Sequence, residues 1–126
     1  MTRSAGQRLS LSRAFRDATC LPSLRRWLRL QLPADQDLEL DAELVCCELV
    51  ANAVEHGGGR GVVRIQIVGL RQVRVEVDDA DPAGNLTVGR SRLGAHRGRG
   101  LTLVSSVASW GVTRTVAGKT VWANLS

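Results

Sequence analysis

Apolar positions along this chain follow two periods, and the places where the period changes mark the elements. Leu9 and Leu11 alternate with Ser10 and Ser12, the two-residue period of a short edge strand. Over residues 22–32, Leu24, Trp27 and Leu28 continue from Leu21 at helical spacing, while Arg25, Arg26 and Arg29 fill the other side. Pro22 suits a first helical turn, and Pro33 stops the helix. A second helix is predicted over residues 37–56. Asp35, Asp37, Glu39 and Asp41 crowd its start, where they complement the helix dipole, and Gly57-Gly58-Gly59 ends it. Residues 62–68 and 73–77 are rich in β-branched side chains and are separated by Gly69-Leu70-Arg71-Gln72, which predicts an antiparallel hairpin.

Residues 79–97 turn polar and glycine-dotted, and a stretch of that length inside a compact domain usually forms a lid or binding loop. A third helix is predicted over residues 99–109, with Leu101, Leu103, Val104, Val107 and Ala108 as its apolar positions. Strands at 111–116 and 119–125 come next, joined by a tight turn at Ala117-Gly118. The order is β-α-α-β-β-loop-α-β-β, with strands in hairpins. It predicts an α+β fold: a two-layer α/β sandwich whose mixed, mainly antiparallel sheet carries helices on one face. Residues 1–8 read as a disordered tail and 9–126 as a single domain.

Composition narrows the class. With 44% hydrophobic and 23% charged residues in 126, the chain is that of a soluble domain with one core. No run approaches the about 20 apolar residues of a membrane span, and the N-terminus lacks a signal-peptide pattern, so a cytoplasmic location is expected. Cys20, Cys46 and Cys47 have no C-x-x-C spacing and read as reduced thiols, not as a disulfide or zinc framework. The net charge is +5, and every basic residue except Lys119 is arginine, a bias of the kind a GC-rich genome imposes. The arginines are scattered, and the chain has one Phe and no Tyr. There is little platform for stacking bases, so direct nucleic-acid binding would rest on charge alone.

Three segments carry candidate chemistry. In Glu48-Leu-Val-Ala-Asn52-Ala-Val-Glu55-His56-Gly57, the residues Glu48, Asn52 and Glu55 share a narrow helical stripe that Asp41 extends. It is either an ordinary solvated face or a site. A carboxamide oxygen there can ligate magnesium, and a carboxylate can accept a proton. The strand Val73-Arg-Val-Glu-Val-Asp78-Asp79 delivers Asp79 to the sheet's end on the face of Val73, Val75 and Val77. Turn chemistry accounts for the following Asp81-Pro82, whereas an inward carboxylate at Asp79 can receive the amino group of a base. Gly94-Ala-His-Arg-Gly98-Arg-Gly100-Leu101 feeds a helix N-terminus. It is either a flexible surface turn or a loop whose backbone N–H groups approach phosphates.

In this order and spacing the three segments resemble the N box and the two glycine boxes of the ATPase superfamily that contains gyrase, the bacterial histidine kinases and the mismatch-repair ATPases. Together with Trp110-Gly-Val-Thr-Arg-Thr115 and Gly118-Lys-Thr-Val-Trp-Ala-Asn-Leu125, they are similar to the anti-sigma regulatory factors with serine kinase activity. The resemblance implies a Bergerat-type ATP-binding fold with ATP and Mg2+ as cofactors. It implies Glu48 as general base and Asn52 as the magnesium ligand. Asp79 would be the receptor of the adenine amino group, with Thr120 supporting the base beside it. Gly94, Gly98, Arg99, Gly100 and Leu101 would shape the phosphate lid, to which Arg90, Arg92 and Arg97 add positive charge. One departure stands out: Asp81 occupies a place where the superfamily commonly carries glycine.

The function implied is a serine kinase that phosphorylates a small, STAS-type anti-sigma-factor antagonist and sequesters a sigma factor, with homodimerisation and no direct role for nucleic acid or membrane. The alternative is a nucleotide-binding protein-interaction module without kinase activity.

Overall fold

The computed structural model describes residues 8–32, 36–56, 59–68, 72–79, 104–116 and 118–126. The chain begins with strand β1 (Arg8–Phe15), passes a 3-10 turn (Ala18–Cys20) and enters helices α1 (Leu21–Gln31) and α2 (Gln36–His56). Four further strands complete it: β2 (Gly61–Val68), β3 (Gln72–Asp79), β4 (Ser109–Thr115) and β5 (Gly118–Leu125). All five strands form one sheet in the order β1-β2-β3-β5-β4, and every adjacent pair is antiparallel. The α+β class is as expected, and no parallel pair mixes into the sheet among the described strands.

Period-two alternation puts one side chain in two under the helices. Val63, Ile65 and Ile67 of β2, Val73, Val75 and Val77 of β3, and Val121, Ala123 and Leu125 of β5 are all buried. Leu24 and Leu28 of α1 meet them from above, with Leu38, Val45, Leu49 and Val50 of α2. Burying such side chains stabilises by about 1.5–3 kcal/mol each, which makes this interface the chief source of stability. Helix α2 lies across β3 and β5 and so spans the middle of the sheet.

The opposite face is polar and cross-linked. Arg64 reaches Glu76 and Asp78, and Arg74 reaches Glu76 and Asn124 while its guanidinium lies 4.9 Å from the centre of the Trp122 ring.

The third helix ends earlier than its apolar pattern predicts. Residues 104–107 are helical, the N–H of Ala108 donates to the carbonyl of Val104 at 2.9 Å, and Ser109 already opens β4 opposite Asn124. Residues 99–103 lie outside the described residues. Strand pairing takes Ser109 from the helix, and a 2.7 Å hydrogen bond from Trp110 Nε1 to Ser105 Oγ holds the junction.

One glycine fixes the close approach of strands at the end of the sheet. Gly61 stands opposite both Phe15 and Asp79, and a Cβ there would lie 1.9 Å from the carbonyl oxygen of Asp78. Gly61→Ala is therefore expected to force the strand ends apart and destabilise the protein by about 1–3 kcal/mol. Thermal unfolding measures this, and an unchanged midpoint would mean that the strand end yields freely.

Candidate functional site

The chain path brings two of the predicted segments to one end of the sheet. Helix α2 ends at His56, and Gly59 and Arg60 lead into Gly61, the register partner of Asp79. The last turns of α2 and the last residue of β3 therefore meet at the same edge. Glu48 and Asn52 are one turn apart, about 6 Å of helix rise. Both are half-buried, as are Asp41, Leu44 and Glu55, while Val45, Leu49 and Ala53 beside them are buried. The polar stripe is thus the margin of the core, not a freely solvated face.

Asp79 is buried, as the alternation of β3 requires, and its carboxylate is not alone. Lys119 of β5 stands opposite it in register, with Nζ 2.8 Å from Oδ2 and side-chain exposures of 1% for Lys119 and 0% for Asp79. The contact is a buried ion pair across the two strands. Stripping water from either ion costs several kcal/mol, and in this pair each offsets that cost for the other.

Lys119 was missed by motif reading, although a signal was available. Val121, Ala123 and Leu125 point inward, so position 119 must as well, and position 120 must point out. Thr120 was expected beside Asp79. It sits instead on the opposite face, where its hydroxyl donates to Asp78 Oδ1 at 2.6 Å.

Asp78 belongs to that outer face. Arg64 holds it with both terminal nitrogens, Nη2 at 2.9 Å from Oδ1 and Nη1 on Oδ2. Partial burial pushes its carboxyl pKa up, but the hydrogen bonds from Arg64 and Thr120 outweigh that and hold it below the ordinary carboxylate value. The same contacts raise the pKa of Arg64. Asp78 therefore serves the sheet and Asp79 the interior, although they are adjacent in sequence.

An open cleft of about 420 Å³ reaches the sheet end, lined by Phe15, Gly61 and Asp79, with Arg16 and Arg60 among its other walls. A second cleft of about 490 Å³ lies at the other end, by Val68, Gln72 and Ser126, away from these groups. Gly94, Gly98, Arg99, Gly100 and Leu101 of the predicted lid, its other arginines and Asp81 lie outside the described residues. Burial pushes the Cys46 thiol well up and the Cys47 thiol up, as expected for inert core cysteines.

The groups at this end fit a magnesium nucleotide. Asp79 supplies a buried acceptor for an amino group, and Asn52 an amide oxygen on the half-buried stripe. Magnesium bound to phosphates needs only one or two protein oxygens, so a cluster of acidic ligands is not required.

Residues 16–125 match the family described as Histidine kinase-like ATPase domain. No curated protein matches the chain in sequence. Among solved structures, the RsbU and RsbW domains of Rv1364c from Mycobacterium tuberculosis are similar, with a TM-score of 0.62 and 25% identity. The match covers 93% of this chain and 32% of that one, so this chain spans about a third of that protein's length. The blue-light activated histidine kinase EL346 of Erythrobacter litoralis is 20% identical, with a TM-score of 0.46, over 86% of this chain and 41% of that one.

The Asp78 contacts make a pH prediction. A carboxyl whose folded pKa lies below its unfolded value stabilises the fold above the unfolded value, and that contribution is lost as pH falls through the folded one. Asp78→Asn should therefore lower the urea midpoint most at neutral pH. The gap to wild type should narrow as the pH drops through and below the ordinary aspartate value of 3.8. A gap that stays constant down to acid pH would remove Asp78 as the titrating group.

Proposed function

The chain belongs to the histidine kinase-like ATPase family, and from that premise we propose that it is an ATP-binding regulatory kinase of the anti-sigma type. Its reaction is transfer of a phosphoryl group from ATP to a serine of a small STAS-type antagonist protein. Its regulatory output is sequestration or release of a sigma factor, in the cytoplasm. Similarity to a solved protein named for its RsbW domain supports this reading. The observation that carries it is Asp79, a buried inward carboxylate at the sheet end to which the chain leads from the end of α2. No described helix is long and apolar enough to cross a membrane.

Each residue has a task that its position permits. Asp79 receives the exocyclic amino group of adenine. Asn52 would hold Mg2+ through its carboxamide oxygen, and Glu48, one turn earlier, would accept the proton of the attacking serine hydroxyl. Bound ATP supplies the phosphoryl group, and ADP leaves with the bridging oxygen. Phosphoryl transfer asks the protein chiefly for positioning and charge stabilisation, so a handful of side chains is enough. Phosphate added to the antagonist then places about two negative charges at its interface, which is sufficient to reverse an association.

Lys119 favours a second reading. Because it already engages Asp79, the pocket can hold nucleotide weakly and serve a protein-interaction module without transfer.

Calorimetric titration with ATP, with and without magnesium, separates the two. Asn52→Ala is a better probe than Asp79→Asn, which would also weaken the buried contact with Lys119 and so disturb the fold. Asn52→Ala is expected to remove the magnesium-dependent part of the affinity. Glu48→Ala should bind ATP as wild type does, yet lose about 10²–10⁴-fold in transfer to the partner. Full transfer by Glu48→Ala would end the general-base assignment, and no wild-type binding at millimolar ATP would favour the module.

A further inference from the structure

The geometry points to the cleft beside Phe15 and Gly61 as a docking site for an acidic segment of a protein partner, gripped by Arg16 and Arg60. The site stands apart from the nucleotide chemistry proposed above, because its apolar wall belongs to the outer face of the sheet.

Ala14 of β1 and Val62 of β2 are register partners, and their parity turns both away from the helices. One step further, Phe15 pairs with Gly61, where β1 ends and β2 begins. Continuing that ladder by one residue sets Arg16 across from Arg60, on the same outer face as Ala14 and Val62. The two segments stay close beyond the strands, since a Cβ on Gly59 would lie 3.9 Å from the carbonyl oxygen of Arg16. All four of these residues line one open cleft of about 420 Å³. Ala14 and Val62 give it an apolar wall, and the exposed Arg16 and Arg60 give it a cationic one.

Like charges set directly across two strands repel, so this pair costs the fold stability unless an anion lies between them. The chain does not supply that anion among its described residues, where neither guanidinium makes a hydrogen bond or an ion pair. Asp17 follows Arg16 in the chain, but its Oδ1 accepts from the N–H of Thr19 at 2.9 Å and from the Thr19 hydroxyl. Asp78 lines the cleft and is held by Arg64 and Thr120, while Asp79 is held by Lys119. The carboxylates that border the cleft are therefore engaged, and the two arginines are left to an anion from outside.

A guanidinium fork takes a carboxylate or a phosphate through two parallel hydrogen bonds. The apolar wall chooses between them. A bare phosphate gains nothing from Ala14 and Val62, and Phe15 is only 5% exposed, too buried to stack a nucleic-acid base. A peptide with acidic side chains beside an apolar one uses both walls. In an extended peptide, carboxylates two residues apart share one face at about 6.7 Å, near the about 5 Å that separates residues across a strand pair. The net charge of +5 draws an acidic partner from a distance and speeds the encounter.

The test is an NMR titration of the 15N-labelled full chain with the blocked peptide Leu-Ser-Glu-Ser-Glu-Ser-Leu, which places both glutamates and both leucines on one face. The amide signals of residues 14–16 and 59–62 should move, and added salt should weaken the effect. Replacing both glutamates by glutamine, or Arg16 and Arg60 together by alanine, should raise Kd by about tenfold or more. Far-UV circular dichroism checks that the double variant folds, as two exposed positions allow. No movement at about millimolar peptide overturns the docking site, and so does equal binding by the glutamine peptide or by the variant. Inorganic phosphate that binds the same residues as tightly as the peptide would reduce the pair to an anion site. A short DNA duplex that binds them more tightly would assign it to nucleic acid. ATP affinity should be the same in the variant as in wild type, and its loss would place the arginines on the nucleotide and overturn the docking role alone.

Discussion

Antiparallel register between β3 and β5 is the constraint on which the rest of this molecule depends. Pairing Val73 with Leu125, Val75 with Ala123 and Val77 with Val121 commits every second residue of both strands to the helix-covered face. The same two-residue period then carries past the apolar run to the strand ends, where it buries Asp79 and Lys119 together. A slip of one residue would turn one strand's apolar row outward and bring either Asp78 or Thr120 inside. The loss of apolar burial forbids that slip, so hydrophobic packing indirectly sets which carboxylate faces the site.

Two ion pairs one residue apart show how burial changes the meaning of the same chemistry. Arg64 and Asp78 are each 36% exposed, so water screens them, and their value lies in tying β2 to β3 as part of a wider network with Glu76 and Arg74. Asp79 and Lys119 have no such screening. Removing one partner takes the nearest opposite charge from a buried ion, which makes the pair costly to break. The outer pair ties neighbouring strands at the surface, and the inner pair lies in the interior at the end of the sheet.

The helix that supplies the other half of the site is held by the same core. Val45, Leu49 and Ala53 of α2 are buried against the sheet, and Glu48 and Asn52 stand in the neighbouring rows, half in and half out. A group at the margin of a core is oriented by its packed neighbours while its polar end remains within reach of a ligand. Gly61 completes the arrangement, because the close approach of its backbone to Asp78 leaves no space for a side chain where the end of α2 turns into β2.

Much of this was legible in the sequence because it depends on local period. Alternation in residues 62–68 and 73–77 announced the central hairpin, and helical spacing with terminal glycines announced α2. The parity of Val73, Val75 and Val77 alone was enough to send Asp79 inward. The identity of the carboxylate and the stripe of Glu48 and Asn52 came from the same counting. Tertiary structure decided what depends on strands far apart in the chain. The 39 residues between Asp79 and Lys119 are closed by the β3–β5 pairing, and that pairing puts Thr120 on the outer face and not beside Asp79. The β4–β5 pairing likewise took Ser109 from the predicted helix. Local periodicity sets which face a side chain takes within its own strand, but register alone sets which side chain lies across from it, and here that partner is a buried lysine.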